Sequence, residues 1–233
     1  MEHTLKITSV LSDPTRLSIY EYITKNHKEV TVQEIADEFN IHPNVARLHL
    51  TKLEDVHMLV SENKKTGKGG RPSRLYRLSD QVTELSFPYR DYKLLAKIAL
   101  DAMYGLGKAG EKALYETGKR YAQNLIQSHL TKEKITKEEL TFEEKVDIIK
   151  TTMRILGLFP EIYIKEEGQK LYFQIFNCPF KEVAVDYRNH TCNMHVSFIT
   201  GLLEALFDNL EVNHVQNMMD GCDACAYHAN IQN

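Results

Sequence analysis

Residues 31–53 read TVQEIADEFNIHPNVARLHLTKL, and this stretch decides the fold of the N-terminal third. Thr31 followed by Glu34 has the form of a capping box, in which a hydroxyl and a carboxylate satisfy the free N–H groups of a helix start. Val32, Ile35, Ala36 and Phe39 then recur at helical spacing on one face. Phe39-Asn40-Ile41 makes a tight turn, and a third helical segment opens at His42-Pro43-Asn44. In that segment Val45, Leu48, Leu50 or Thr51, and Leu53 are expected to point inward. Asn44, Arg47, His49 and Lys52 are expected to project outward. Two short helices joined by a tight turn form a helix-turn-helix, whose second helix fits the DNA major groove. Asn and Arg suit that face because their side chains make bidentate pairs with base edges.

The flanking sequence agrees. Upstream, Asp13-Pro14-Thr15-Arg16-Leu17 opens a helix: Asp13 caps free backbone N–H groups, and Pro14 suits the first turn, where its missing N–H costs nothing. Leu17, Tyr20 and Ile23 or Thr24 follow at helical spacing. Downstream, residues 57–62 and 74–78 read as two short strands around a glycine- and lysine-rich hairpin tip. From Lys64 to Arg77 there are three lysines, three arginines and no acid. Such a run alone reads as a solvated loop. Placed after a helix-turn-helix it reads as a wing, with Lys68, Arg71 and Arg74 as candidate phosphate contacts.

The formal net charge of −3 excludes a uniformly basic coat, so DNA contact must be confined to this patch. At 233 residues two domains are the better expectation. No apolar run approaches the roughly 18 residues of a membrane span, and the first residues lack the apolar core of a signal peptide, so a cytoplasmic protein is expected. In a reducing compartment the four cysteines read as metal ligands or redox groups rather than disulfides. The chain has no G-x-S-x-G, Walker loop, H-E-x-x-H or dinucleotide fingerprint, so it is not expected to be an enzyme. A thiol oxidoreductase is the enzymatic alternative.

Residues 80–92 read as a connector. Residues 92–130 carry helical periodicity, broken into two helices by Gly105, Gly107 and Gly110. This region is the expected seam of a homodimer, which doubles DNA contacts and matches a palindromic double-stranded operator; an intramolecular core is the alternative. Thr141-Phe142-Glu143-Glu144 restarts a helix that Gly157 stops, and residues 161–166 and 170–176 alternate as a hairpin.

Cys178 follows that hairpin, Cys192 stands at the expected start of an apolar helix, and Cys222 and Cys225 follow a strand near Val212–Val215. Each lies near the edge of an element, so the four sulfurs are expected to converge at one end of an α+β domain. Thiolates are soft ligands for zinc or iron–sulfur clusters, and a C-x2-C pair lets two reach one centre. His190, His195, His214 and His228 are candidate substitutes for a ligand. In the alternative, Cys178 and Cys192 are small buried hydrophobes and the C-x2-C is incidental.

The order of elements in the first third resembles the winged-helix domain of ArsR-like and DeoR-like bacterial transcription regulators. Leu11-Ser12-Asp13-Pro14-Thr15-Arg16-Leu17 matches their L-x-D-P-T-R-L start, and residues 70–78, GRPSRLYRL, match the end of their wing. Asn177-Cys178-Pro179-Phe180, Cys192, Gly201-Leu202-Leu203 and residues 221–227, GCDACAY, resemble the C-terminal half of the SufR-like branch. That resemblance implies a repressor with a cysteine-ligated iron–sulfur cluster, 4Fe-4S or 2Fe-2S, acting as a redox sensor. Cys178, Cys192 and Cys225 match the family's cysteines, whereas the family does not regularly place its fourth ligand at the position of Cys222. The alternatives are zinc or a small organic ligand in the same half.

The expected architecture is therefore α+β: a winged helix-turn-helix at 1–80, a connector and helical dimerisation region at 81–140, and an α+β sensor domain at 141–233. Its metal ligands would be Cys178, Cys192, Cys222 and Cys225.

Overall fold

A computed structural model describes residues 2–64, 73–165 and 170–231. The chain forms two compact units, Met1–Arg90 and Asp91–Asn233. The segment 81–140, set apart in the sequence reading, falls on both sides of this boundary.

In the first unit, α1 (Glu2–Leu11) precedes the helix expected from the sequence. The Asp13 carboxylate caps α2 (Pro14–Asn26) by accepting from the Arg16 N–H at 3.0 Å. Arg16 folds back, and its Nη1 donates to the Val10 carbonyl at 2.7 Å, satisfying a free acceptor at the end of α1. The expected capping box is present at α3 (Val32–Glu38): Thr31 N–H donates to Glu34 at 2.6 Å, and Glu34 N–H to the Thr31 hydroxyl at 3.1 Å. Asn40 makes the turn into α4 (Pro43–Glu54) with a φ of 50°, a left-handed conformation that Asn tolerates. The hairpin β2 (Leu59–Lys64) and β3 (Ser73–Leu78) gains a third strand, β1 (Val30–Thr31), in the antiparallel order β1-β3-β2. Ile19, Ile23, Ile35, Leu50, Leu53 and Tyr76 are among the fully buried side chains of this unit.

In the second unit, α5 (Tyr92–Gly105) and α6 (Lys108–Glu133) are separated at Leu106-Gly107. Gly110, expected to help break the helices, instead lies within α6. A Cβ there would fall 1.9 Å from the Met103 carbonyl oxygen, so only glycine permits this approach of α5 to α6. Thr141 and Glu144 form the expected capping box of α7 (Phe142–Ile155), and Gly157 follows at a φ of 75°. The expected hairpin is β4 (Pro160–Lys165) and β5 (Lys170–Ile175). After the short α8 (Lys181–Ala184), α9 (Arg188–Glu204) packs lengthwise on α6. The chain ends with β6 (Leu210–Gln216) and β7 (Cys225–Ile231), the latter inserted between β5 and β6 in the antiparallel order β4-β5-β7-β6. Cys225, Tyr227, Ala229 and Ile231 alternate into the core beneath α6, α7 and α9. Tyr227 is sandwiched across the sheet, stacked on Phe173 at 5.0 Å and on His214 at 4.7 Å.

Candidate functional site

Helix α4 presents Asn44, Val45, Arg47, Leu48 and Lys52 to solvent and buries Ala46, His49, Leu50 and Leu53. This corrects the sequence reading in two ways. Val45 and Leu48, expected inside, are 41% and 54% exposed, and His49, expected on the outer face, is only 7% exposed. The imidazole lies beside Asp13 and Arg16 of the first helix-turn corner, and its buried Nδ1 has no hydrogen-bond partner. Burial lowers its pKa from 6.5, with Asp13 partly opposing. His49 is a packing residue of the first unit.

The outer face retains a polar end and gains an apolar stripe. Arg47 and Asn44 approach at 3.4 Å, a long contact that leaves both free to turn toward a partner. Lys52 pairs loosely with Asp55 at 4.0 Å. Val45 and Leu48 place exposed apolar surface beside these polar groups. A concavity of about 840 Å³ runs from this face to the hairpin and is lined by Thr31, Gln33, Arg47, Glu54, Asn63 and Arg74, among others. Gln33 and Asn63 were not singled out in the sequence; nothing but their polarity marks them there. Lys68 and Arg71 lie outside the described residues. Arg74 is engaged: Nη2 donates to both Glu54 carboxylate oxygens, at 2.9 and 2.7 Å, and Nε to the Ser61 hydroxyl at 2.7 Å.

In the second unit, Cys178 sits in the loop between β5 and α8, Cys192 inside α9 rather than at its start, Cys222 in the loop before β7, and Cys225 as the first residue of β7. Register pairs Cys225 with Ile175, close to where β5 leads into the Cys178 loop. The Cys178 thiol is pushed up to about 12, chiefly by burial, with the Phe180 N–H opposing and the charges of Cys225 and Cys192 adding. Cys225 is likewise raised by burial, opposed by the Met218 N–H, with Cys192 and then Cys222 contributing. Cys192 thus bears on both raised thiols, Cys225 also on Cys178, and Cys222 on Cys225 alone of the two.

Histidines border the group. His195 on α9 places Nδ1 3.5 Å from the Cys178 sulfur, and the Phe180 ring meets its edge at 5.2 Å. Its Nε2 is buried with no hydrogen-bond partner, as is Nε2 of His214. Burial holds the His195 pKa down to about 4, with His214 adding, so the imidazole is neutral and keeps a lone pair. His190 instead packs on Tyr104, and His228 on Tyr172 on the opposite side of β7 from Tyr227. The donor set of soft thiols and a neutral imidazole fits zinc or an iron–sulfur centre in its chemistry. As the side chains stand, no three His, Cys, Asp or Glu groups among the described residues are arranged about a single ion.

Among the described residues no helix is long and apolar enough to cross a membrane. Solved structures with partial likeness include a trafficking protein particle complex subunit 3 from Naegleria fowleri covalently bound to palmitic acid, with 15% identity over 60% of this chain and 94% of that chain at a TM-score of 0.44. An H-NOX protein from S. oneidensis in the Fe(II)NO ligation state matches with 18% identity over 67% and 84% of the two chains at 0.41. The phenol-responsive sensory domain of the transcription activator PoxR, with phenol, matches with 14% identity over 79% and 89% at 0.45. A search of curated proteins gives no match. Residues 11–62 match the family model of a helix-turn-helix domain, which points to DNA binding by the first unit.

Proposed function

We propose that the chain is a dimeric, cytoplasmic winged-helix regulator of the SufR-like kind. In this reading its affinity for a double-stranded operator is set by a cysteine-ligated iron–sulfur centre in the second unit. The observation that carries the reading is the joint occurrence of a solvent-facing Asn44–Arg47–Lys52 helix within the matched helix-turn-helix and, in the second unit, two buried thiols, Cys178 and Cys225, on both of which Cys192 bears. Asn44 and Arg47 read base edges, Val45 and Leu48 meet thymine methyls, and Lys52, Lys68 and Arg71 neutralise phosphates.

Cys178, Cys192 and Cys225 are the principal ligands and Cys222 the fourth. Bound there, an iron–sulfur centre would tie the β5–α8 loop, α9 and the start of β7 to one another. His195 holds the Cys178 sulfur in place, as partners of ligands commonly do. Burial keeps the Cys178 and Cys225 thiols protonated until a metal displaces their protons, so these two resist oxidation as free groups. Zinc is the second reading, favoured by the unpartnered nitrogens of His195 and His214, since mixed Cys/His sets are typical of zinc.

The seam of the dimer is α5, which has no buried residue and exposes Leu95, Ile98, Ala99 and Ala102 along one face. Anaerobic purification followed by the visible spectrum and the iron, sulfide and zinc content tests the cofactor. Brown protein with iron and labile sulfide, lost in Cys178→Ser, Cys192→Ser and Cys225→Ser, is expected. Colourless protein carrying zinc establishes the second reading, and metal-free protein overturns both.

A further inference from the structure

The residue at the base of the hairpin that sequence logic assigns to phosphate, Arg74, has its charge already matched within the fold. Glu54, the last residue of α4, receives both Arg74 Nη2 bonds and a third, at 2.6 Å, from the Ser61 hydroxyl. Ser61 in turn accepts from Arg74 Nε at 2.7 Å, and the guanidinium carbon stands 5.3 Å from the Tyr76 ring centroid. The two side chains are 47% and 26% exposed, so solvent reaches the pair without replacing it. Three elements meet here: the end of α4, β2 through Ser61, and β3 through Arg74 and Tyr76. Tyr76 is fully buried in the core of this unit, so the hairpin end of the clamp has a rigid seat.

We infer that Glu54, Ser61 and Arg74 form a clamp that fixes the angle of the β2–β3 hairpin to helix α4, with Arg74 acting as a positioning residue and not as a phosphate contact. The inference rests on the DNA-binding reading of the first unit. A guanidinium offers its donors in a planar fork, and here the Nε–Nη2 edge of that fork is taken up by Glu54 and Ser61. A carboxylate between α4 and the hairpin would only repel DNA unless it holds something in place. Its retention at the rim of the concavity that Arg47 and Asn63 also line is explained by geometry, since both DNA-facing surfaces must fit adjacent parts of one duplex.

The two roles for Arg74 predict opposite signs. The probe is a duplex selected by the wild-type chain from a random-sequence pool, with affinity followed by anisotropy across a salt series and the bound hairpin located by hydroxyl-radical footprinting. Under the clamp, Glu54→Gln weakens binding about tenfold, blurs the footprint flanking the α4 site and leaves the salt slope unchanged. Arg74→Lys, which keeps charge but loses the fork, does the same, and the exchanged pair Glu54→Arg with Arg74→Glu recovers part of the affinity. If Arg74 contacts phosphate, Glu54→Gln tightens binding, Arg74→Lys is tolerated, and Arg74→Gln reduces the salt slope by about one; this pattern overturns the clamp. Wild-type protein that selects no duplex overturns the DNA-binding reading itself, and the clamp with it.

Discussion

The crossing of α6 and α9 is set by glycine, and Gly201→Ala measures how tightly. A Cβ at Gly201 lies 2.4 Å from the Lys119 carbonyl oxygen, 3.1 Å from its carbon and 3.0 Å from the Ala122 Cβ. The first contact is with main chain held inside a helix, so relief requires the two helices to part rather than a side chain to turn. Overpacking of this kind costs ~1–3 kcal/mol, and the absence of a flexible neighbour puts Gly201 near ~3. Alanine returns ~1 kcal/mol of helix propensity, leaving a net loss of ~2 kcal/mol. For a unit of this size that lowers the melting temperature by roughly 4–8 °C in calorimetry of the full chain. Gly118→Ala in the same crossing is the control. Its Cβ meets the Met194 side chain at 3.0 and 3.1 Å and the Met194 carbonyl at 3.1 Å, overlaps that a methionine rotamer and a small shift relieve. It should stay within ~1 kcal/mol of wild type. Gly201→Ala melting at or above wild type, or Gly118→Ala falling further than Gly201→Ala, refutes the reasoning.

Three further outcomes are expected. His49 has its folded pKa lowered from 6.5 by burial, so the unfolded chain takes up the proton first as pH falls below about 6.5. The stability of the first unit should decline from there toward the folded pKa and then level off. Hydrogen exchange of α2 and α4 amides should show this slope in wild type and lose it in His49→Gln; an unaltered slope removes His49 as its cause. Arg47→Ala should cost about 1–3 kcal/mol at the selected duplex and relax its sequence preference, whereas equal weakening on all duplexes would make Arg47 a phosphate contact. Ile98, 58% exposed on α5, should tolerate glutamate in the monomer but abolish the dimer, so light scattering should find Ile98→Glu monomeric. A dimer of unchanged stability would place the seam elsewhere.

The helix-turn-helix was legible because its signals are local. The Asp13 cap, the Thr31–Glu34 capping box and the Asn40 turn each act within a few residues and need no tertiary partner. The face of α4 was misphased because apolar residues occur on both sides: 45 and 48 compete with 46, 50 and 53, and the true inward set includes a histidine. Burial of His49 depends on Asp13 and Arg16, which no helical periodicity reveals. The Arg74–Glu54 pair joins residues remote in sequence and was likewise hidden, so Arg74 read as one more base in a basic run. In the second unit the hairpin and the α7 cap were readable, but β7 was missed although Cys225, Tyr227, Ala229 and Ile231 alternate. The C-x2-C pattern drew attention to metal chemistry at the point where a strand begins. The place of each cysteine near the edge of an element suggested their convergence, while the contact of His195 with Cys178 depends on how α9 lies against the β5–α8 loop.

The most direct test of the central claim is operator affinity of the anaerobically purified chain, compared at fixed salt before and after removal of its cofactor by chelation. The account predicts that the selected duplex is bound with an affinity that changes at least tenfold on removal, and that Cys178→Ser matches the cofactor-free state. Equal affinity in all three preparations would contradict it, leaving a DNA-binding unit that the cysteine cluster does not govern.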